Sequence, residues 1–416
     1  MLFGSNSVLA GGGGDDTFNP SETALHHIAD ANAFHIVGDL YFHLPCMLYA
    51  PDNGWTFLSS TAKFKPHHHG NGTVAIDRYV LKHGVIKRIA DPNFPMGEVE
   101  VSFADDHHGE EKAHHNESPS ATHGHSHDDG HNHDHAADGK EHKAEAHGEA
   151  VSYQGKSYEI HDKTTWDGGL AGGGVTSYYD FSITKNVFSL ILVALILAFI
   201  FRSVANAYKK REGKAPKGLQ SFMEPLFIFI RDDIAKPMIG EKKYEKFLPY
   251  ILAIFFFILG LNLFGQIPFF PGSANVSGNI SVTIILALFT FIITNINGNA
   301  HYWQHILWMP GIPAAVKIIL TPVEVLGVFL KPITLLVRLF ANITAGHIVV
   351  ISFVGLIFVF GDSGRNLVGA GVGIVASTLL TIFMNCIELL VAFIQAYIFT
   401  ILSASYIGAA VEEAHH

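Results

Sequence analysis

The chain has 416 residues, 49% of them hydrophobic and only 15% charged, with a formal net charge of −10. The apolar residues are concentrated after residue 185, which reads as an integral membrane protein with a soluble, acidic N-terminal extension. An acidic balance of this kind argues against nucleic-acid binding. The two cysteines, Cys46 and Cys386, fall in the extension and in an apolar run, so no disulfide between them is expected. The N-terminus MLFGSNSVLAGGGGDD lacks the basic start and apolar core of a signal peptide. Export of the extension would then rely on an upstream start or on the first membrane helix.

In chain order, residues 20–50 mix small, apolar and histidine residues, which predicts a short amphipathic helix followed by an extended piece. Residues 53–103 are β-rich, as in TVAIDRYVLKHGVIKRIA, and VSYQGKSYEIHD at 151–162 is a second such patch. Both carry β-branched and aromatic residues between turn residues and predict a small β unit split by an insertion. The insertion, 105–150, holds twelve histidines among Asp, Glu, Gly and Ala. It has too little apolar area to fold alone and is predicted disordered. Within it, His123, His125, His127, His131, His133 and His135 offer imidazoles for weak Zn²⁺, Ni²⁺ or Cu²⁺ binding. A solvated tail is the plainer alternative.

Five apolar spans follow, near 186–205, 247–270, 280–297, 313–360 and 367–407. The fourth contains Pro322 and Pro332, where a bend is expected. A helix of about 40 residues is roughly 60 Å long against a hydrocarbon core of about 30 Å, so the last two must be steeply tilted. Residues 202–246 carry eleven Lys or Arg, whereas 271–279 carry none. The positive-inside rule therefore makes the first of these loops cytoplasmic, the extension 1–185 extracytoplasmic and the C-terminus cytoplasmic. Within that loop, SFMEPLFIFIRDDIAKPMIG has apolar residues at helical spacing and is expected to lie on the membrane surface. The predicted fold is thus an all-α membrane domain, 186–416, behind a small β-containing extension, 1–185.

Arg338 lies inside the apolar stretch from Pro332 to Phe360. A guanidinium keeps its proton, and holding it at membrane depth costs between ~3 and ~15 kcal/mol. Such a charge points to ion or substrate passage rather than to snorkelling at a helix end. Asn342, four residues on, shares its face, while His347 lies on roughly the opposite side. On the last helix Glu388 and Gln395 share a face, extended by Thr381, Asn385 and Ser403. Ala341, Ala345 and Gly346 would allow close approach of another helix. Histidine and glutamate in such a place suit proton relay, although hydrogen-bonded helix pairing is the structural alternative. Either Glu388 pairs with Arg338, or the arginine's anion belongs to another protein.

RLFANITAGHIVV together with IELLVAFIQAYIFTIL resembles subunit a of F-type ATP synthases, the membrane stator facing a rotating c-ring. The resemblance covers about residues 186–411 and includes EPLFIFIRDDIAKPMIG, FLPYILAIFFFILGLNLFGQIPFF and TPVEVLGVFLKPITLLVRLFAN in order. It implies that Arg338 faces the c-ring carboxylate and separates two aqueous half-channels, with Asn342 beside it. The family's half-channel positions fall on Gly346, His347, Glu388 and Gln395, with His347 and Glu388 as a pair across the long helices. Glu324 would border the cytoplasmic half-channel and Asn279 the outer one. The chain departs from the family at Ala341, where RLFGN is common, and at Asn279, where many members have aspartate.

The resemblance further implies a non-catalytic, proton-translocating subunit without a cofactor. Its partners would be the c-ring, a subunit b dimer of the peripheral stalk, the remaining synthase and membrane lipid, in a bacterial inner membrane. The rival reading is a metal-ion transporter with a His-rich loop. The spans offer one histidine, two glutamates and a cation that would repel a divalent ion, in place of a cage of ligands at i, i+4 spacing.

Overall fold

A computed structural model describes residues 30–37, 40–67, 70–103, 150–164, 178–267, 270–272, 274–309, 313–360 and 367–412. The chain divides into two compact units, one of Met1–Met47, Phe57–Thr61 and Phe181–His416, the other of Leu48–Thr56 and Ala62–Asp180. The predicted His-rich insertion and the start of the predicted amphipathic helix lie outside the described residues.

The first unit is built on apolar helices. Helix α1 spans Lys185–Lys210, where the Thr184 hydroxyl accepts the Val187 N–H at the N-cap. Helix α2, Leu219–Phe229, runs through a π-helical turn at Ile230–Ala235 into α3, Lys236–Ile239. A helix was expected here from the apolar spacing, and the segment is helical. Met223, Ile230, Ile234 and Ile239 are buried, whereas Phe222 is 70% exposed. Its Asp232 carboxyl is held well below the usual carboxylate range by hydrogen bonds from Arg231 and Lys236.

Helix α4 covers Tyr244–Gly265 and α5 Ile280–Ile296. The second span was expected to reach residue 270, but its helix stops at Gly265. Phe270 instead turns onto the aromatic cluster described below. Helix α6, Ala300–Leu307, leaves α5 at 105°, a bend made at Asn297–Gly298–Asn299 that hydropathy alone did not reveal. A Cβ on Gly298 would stand 2.7 Å from the Tyr302 ring, so glycine permits the tight corner.

Helices α7, Ala314–Phe360, and α8, Leu367–Val411, have 47 and 45 residues. Helix α7 passes through Pro322 and Pro332 without interruption. Four helices, α1, α4, α7 and α8, are long and apolar enough to cross a membrane, and the bent α5–α6 pair is a fifth candidate. Many of their side chains face outward, as lipid-facing residues must: Phe199 is 72% exposed and Leu379 69%. Inward, Ile251, Phe255 and Ile258 of α4 pack with Leu335 and Leu339 of α7 and Ala396 and Phe399 of α8.

A hairpin, β1 (Ala33–Val37) and β2 (Leu40–His43), belongs to this same unit. Phe34 packs edge-on against Phe188 of α1 and Phe270 of the α4–α5 connection, with centroids 5.5 and 5.3 Å apart. Phe42 closes the cluster at 4.8 Å from Phe270. The Lys185 N–H donates to the Ala31 carbonyl at 2.9 Å. This segment was expected only as an extended piece.

The second unit is β-rich, as the two sequence patches indicated. It contains most of β3 (Cys46–Ala50), the start of β4 (Gly54–Leu58), then β5 (Val74–Ile76), β6 (Tyr79–Lys82), β7 (Val85–Ile89), β8 (Glu98–Glu100), β9 (Ser102–Phe103), β10 (Ala150–Tyr153), β11 (Lys156–His161) and β12 (Tyr179–Asp180). A seven-stranded sheet runs β8-β5-β6-β7-β11-β10-β9. Strand β10 on the far side of the insertion pairs antiparallel with β9 on the near side, Val151 opposite Phe103. The insertion therefore leaves and rejoins one sheet. Ala75, Val80, Ile89, Phe103 and Val151 form its core.

Two arginines are buried in that unit, Arg78 at 5% exposure and Arg88 at 1%. They share one carboxylate, Asp52, at 2.7 and 2.5 Å. Arg78 also donates to the carbonyls of Ile89 and Ala90. Burial raises the Asp52 carboxyl, but hydrogen bonds from Arg88 and Arg78 outweigh it and hold the group below its ordinary value.

Candidate functional site

Helices α7 and α8 pack antiparallel, and contacts along their length fix the register. A Cβ on Gly346 would stand 2.6 Å from Glu388 Oε1. Towards one end of the pair, a Cβ on Gly373 would meet Ile357 Cα at 3.0 Å. Towards the other, the Lys331 ammonium lies 5.4 Å from the centre of the Tyr406 ring. This register puts Arg338 level with Gln395–Phe399, and Glu324 near Ala410 at the end of α8.

Glu388 is therefore seated on Gly346, eight residues along α7 from Arg338, a separation of about 12 Å at helical rise. Of the two alternatives left by the sequence, Glu388 is not the arginine's anion. Among the described residues Arg338 makes no ion pair and no hydrogen bond. It is half-buried. The Glu388 Oε1 atom is buried with no hydrogen-bond partner among the described residues, as are Thr344 Oγ1 and Thr381 Oγ1. Unsatisfied groups of this kind call for water or a transient partner.

Other sequence-derived positions divide by environment. Gln395 is 5% exposed, in the interior at the level of Arg338. Ser403 is buried and reaches Thr290 of α5 at 3.3 Å, and Thr290 in turn meets the Tyr250 hydroxyl of α4 at 2.7 Å. Asn342 is exposed on α7 together with Ala341 and Ala345, while Cys386 and Leu389 are exposed on α8. Asn385 is exposed as well, so the polar stripe of α8 leaves the interior there. His347 follows Gly346 in α7, but its side chain lies outside the described ones. Asn279 caps α5, its Oδ1 accepting the Ser281 N–H at 2.9 Å. Glu324 is half-buried.

Sequence reading missed a small, mostly apolar-walled cavity, about 10 Å³, enough for about one water, whose walls include Phe291, Val328, Pro332 and Leu335. It is lined by Thr290, Thr294 and Asn295 of α5, Tyr302 of α6, Lys331 of α7 and Tyr406 of α8. Thr294 Oγ1 and Asn295 Oδ1 there lack hydrogen-bond partners among the described residues. The only local signal was a run of Thr and Asn in an otherwise apolar helix. No group of three His, Cys, Asp or Glu placed to hold a metal exists among the described residues. The six candidate metal histidines, His123 to His135, lie outside them.

Among the described residues, then, Arg338 has no anion, Gln395 lies at its level, and the unpartnered Glu388 sits about two turns away. The sequence model of the family described as ATP synthase A chain matches residues 187–408. The chain belongs to that family. Residues 23–119 separately match a family described as Domain of unknown function (DUF8433). An ATP synthase subunit a from Chloroherpeton thalassium is 46% identical over 244 residues, covering 57% of this chain and 69% of that protein. One from Chlorobium phaeobacteroides (strain BS1) is 44% identical, covering 55% and 66%, and an ATP synthase subunit a 2 from Chlorobaculum tepidum is 44% identical, covering 56% and 64%.

As a member of the ATP synthase A chain family, the protein is a non-catalytic, proton-translocating stator subunit of the synthase's membrane sector. It is a multi-pass membrane protein that works in complex with the rest of that sector. Nothing in these comparisons supports a metal-ion transporter.

Proposed function

We propose that the exposed face of α7 and α8 carrying Ala341, Asn342 and Ala345 packs against a c-ring, and that Arg338 is the counter-charge for the ring's carboxylates. The observation that carries this reading is Arg338 itself. It is a permanent charge at mid-helix for which the described residues supply no anion, beside small exposed residues that admit a second helix.

A proton from the outer side reaches the ring carboxylate by way of Asn279, His347 and Glu388 with water. Neutralised, that carboxylate can enter lipid, because the cost of burying its charge has gone. After nearly a full turn of the ring the proton leaves through the second half-channel, past the Lys331–Tyr406 cavity and Glu324. Arg338 then holds the deprotonated carboxylate, assisted by Asn342 and Gln395 at its level. Having no neutral form, Arg338 cannot relay a proton and so blocks a short circuit. The membrane potential supplies about 2.3 kcal/mol per charge per 100 mV, so the attraction must be no stronger than that for the ring to move on.

In this reading the 1–185 extension is extracytoplasmic and the C-terminus cytoplasmic, supported by the eleven basic residues between 202 and 246. A subunit b dimer would bind elsewhere on the helices, in a bacterial inner membrane. The weak metal-binding histidines take no part in proton flow.

Disulfide trapping tests the docking face in the whole complex, after Cys46→Ser and Cys386→Ser. Ala341→Cys and Ala345→Cys should each cross-link to a cysteine beside the ring carboxylate, whereas buried Leu335→Cys should not. An assembled complex that cross-links at Leu335 or at neither alanine would contradict the reading.

A further inference from the structure

Where α5 ends, α4 begins and α8 ends, the membrane unit holds a cleft of about 450 Å³, a volume of about fifteen waters. Its charged lining is Lys242, Lys243 and Lys246 against Glu245. Two of the lysines are tied to the walls: Lys243 donates to the Val411 carbonyl and Lys246 to Asn297 Oδ1, each at 2.7 Å. Asn299 completes the frame by donating to the carbonyls of Val411 and Glu412. The cleft is half-open, with Lys242 and Lys246 exposed at its mouth, Lys243 half-buried, and three lysines against one glutamate.

Its depth in the membrane follows from what surrounds it. The three helix ends that form it are the ends of apolar segments, and α6 turns away from α5 by 105° immediately beside it. Helix α6 buries Tyr302 and Ile306 while exposing Trp303, Leu307 and the following Trp308. The Lys317 ammonium lies 4.6 Å from the Trp308 ring centre. Exposed tryptophans paired with lysine mark the headgroup level of a bilayer. Phe247, on the membrane side of the cleft, is buried with Lys246 over its ring.

We infer that this cleft binds the phosphate headgroup of an anionic membrane phospholipid, with Lys242 and Lys246 as its main contacts. Basic pockets between helix ends at headgroup depth suit such lipids. The lipid would bridge the α5–α6 elbow and the last turn of α8, which already share hydrogen bonds, and so hold the end of the helix that carries Glu388 and Gln395. The inference is independent of the role given to Arg338.

The test uses the whole complex reconstituted in phosphatidylcholine vesicles doped with photoactivatable phosphatidylglycerol. Peptides covering 242–250 and 295–303 should be labelled. K242Q/K246Q should reduce that labelling roughly 25-fold, at about fivefold per lysine, while K242R/K246R should retain it and confirm that loss does not reflect misfolding. Photoactivatable phosphatidylcholine should label these peptides no better than in the K242Q/K246Q variant, and millimolar inorganic phosphate should not compete. Labelling unaffected by K242Q/K246Q, equal labelling by phosphatidylcholine, displacement by free phosphate, or cross-linking to another subunit in place of lipid would each overturn the inference.

Discussion

The β unit buries two arginines and the membrane unit half-buries one, and they treat the charge in opposite ways. In the β unit Arg78 and Arg88 converge on Asp52, and Arg78 spends further donors on backbone carbonyls. The charge is neutralised where it is buried, which is what stability demands. In the membrane unit Arg338 has no such carboxylate among the described residues, and the nearest glutamate in register, Glu388, is seated on Gly346 about two turns away. Under the proposed function, the arginine left without a carboxylate among the described residues is kept for a partner's anion.

This contrast can be broken at either end. The largest effect outside Arg338 is expected at Gly346. A Cβ there would overlap Glu388 Oε1, so Gly346→Ala should push the carboxylate from its seat and lower ATP-driven proton pumping on the order of tenfold with assembly intact. Adding Glu388→Asp, which shortens the side chain by one methylene, should recover part of the loss. Equal pumping by Gly346→Ala and the wild type would show that the seat is unimportant.

In the β unit, Asp52→Asn should leave two buried guanidinium groups without their counter-ion. The penalty for breaking a buried pair is about 3–5 kcal/mol, reduced here to about 2 kcal/mol because Asp52 is itself half-exposed. Hydrogen-exchange protection of β6 and β7 should fall accordingly while pumping is unchanged. The same group sets a pH dependence. Its folded-state pKa is depressed, so its stabilisation is fully present above the unfolded value of about 3.9 and is lost as pH falls through the folded value. Protection of β6 and β7 that is flat from neutral pH down to strong acid would contradict this assignment.

A smaller effect is expected from Phe270→Ala, which removes one ring from the Phe34–Phe42–Phe188 cluster. The partly exposed ring should contribute about 1–2 kcal/mol, read as faster exchange in β1 and β2 with proton pumping preserved. Smallest of all is Asp232→Asn in the π-helical turn, whose ion pairs with Arg231 and Lys236 are partly exposed, so no measurable change in thermal stability is expected.

Local patterns carried much of the fold. Apolar run lengths located every long helix to within a few residues, because a membrane span is a one-dimensional signal. Alternating β-branched residues on both sides of the His-rich insertion located the sheet. The bend at Gly298 and the early stop at Gly265 were not legible, since both depend on what the chain folds back upon: Tyr302 in one case and the aromatic cluster around Phe270 in the other. In the site, Arg338 announced itself by its cost. The seating of Glu388 on Gly346 required the register of two helices, which no spacing within either one contains. For the same reason the Lys331–Tyr406 cavity escaped notice, its lining being drawn from four helices.

The most direct measurement is ATP-driven acidification of inverted membrane vesicles carrying wild-type protein or Arg338→Ala, with assembly of the complex checked in parallel. The account predicts normal assembly with acidification reduced to background, since no other described cation can meet the ring carboxylate at that depth. Acidification at the wild-type rate by assembled Arg338→Ala complexes would contradict it, and would make the unpaired arginine a structural residue.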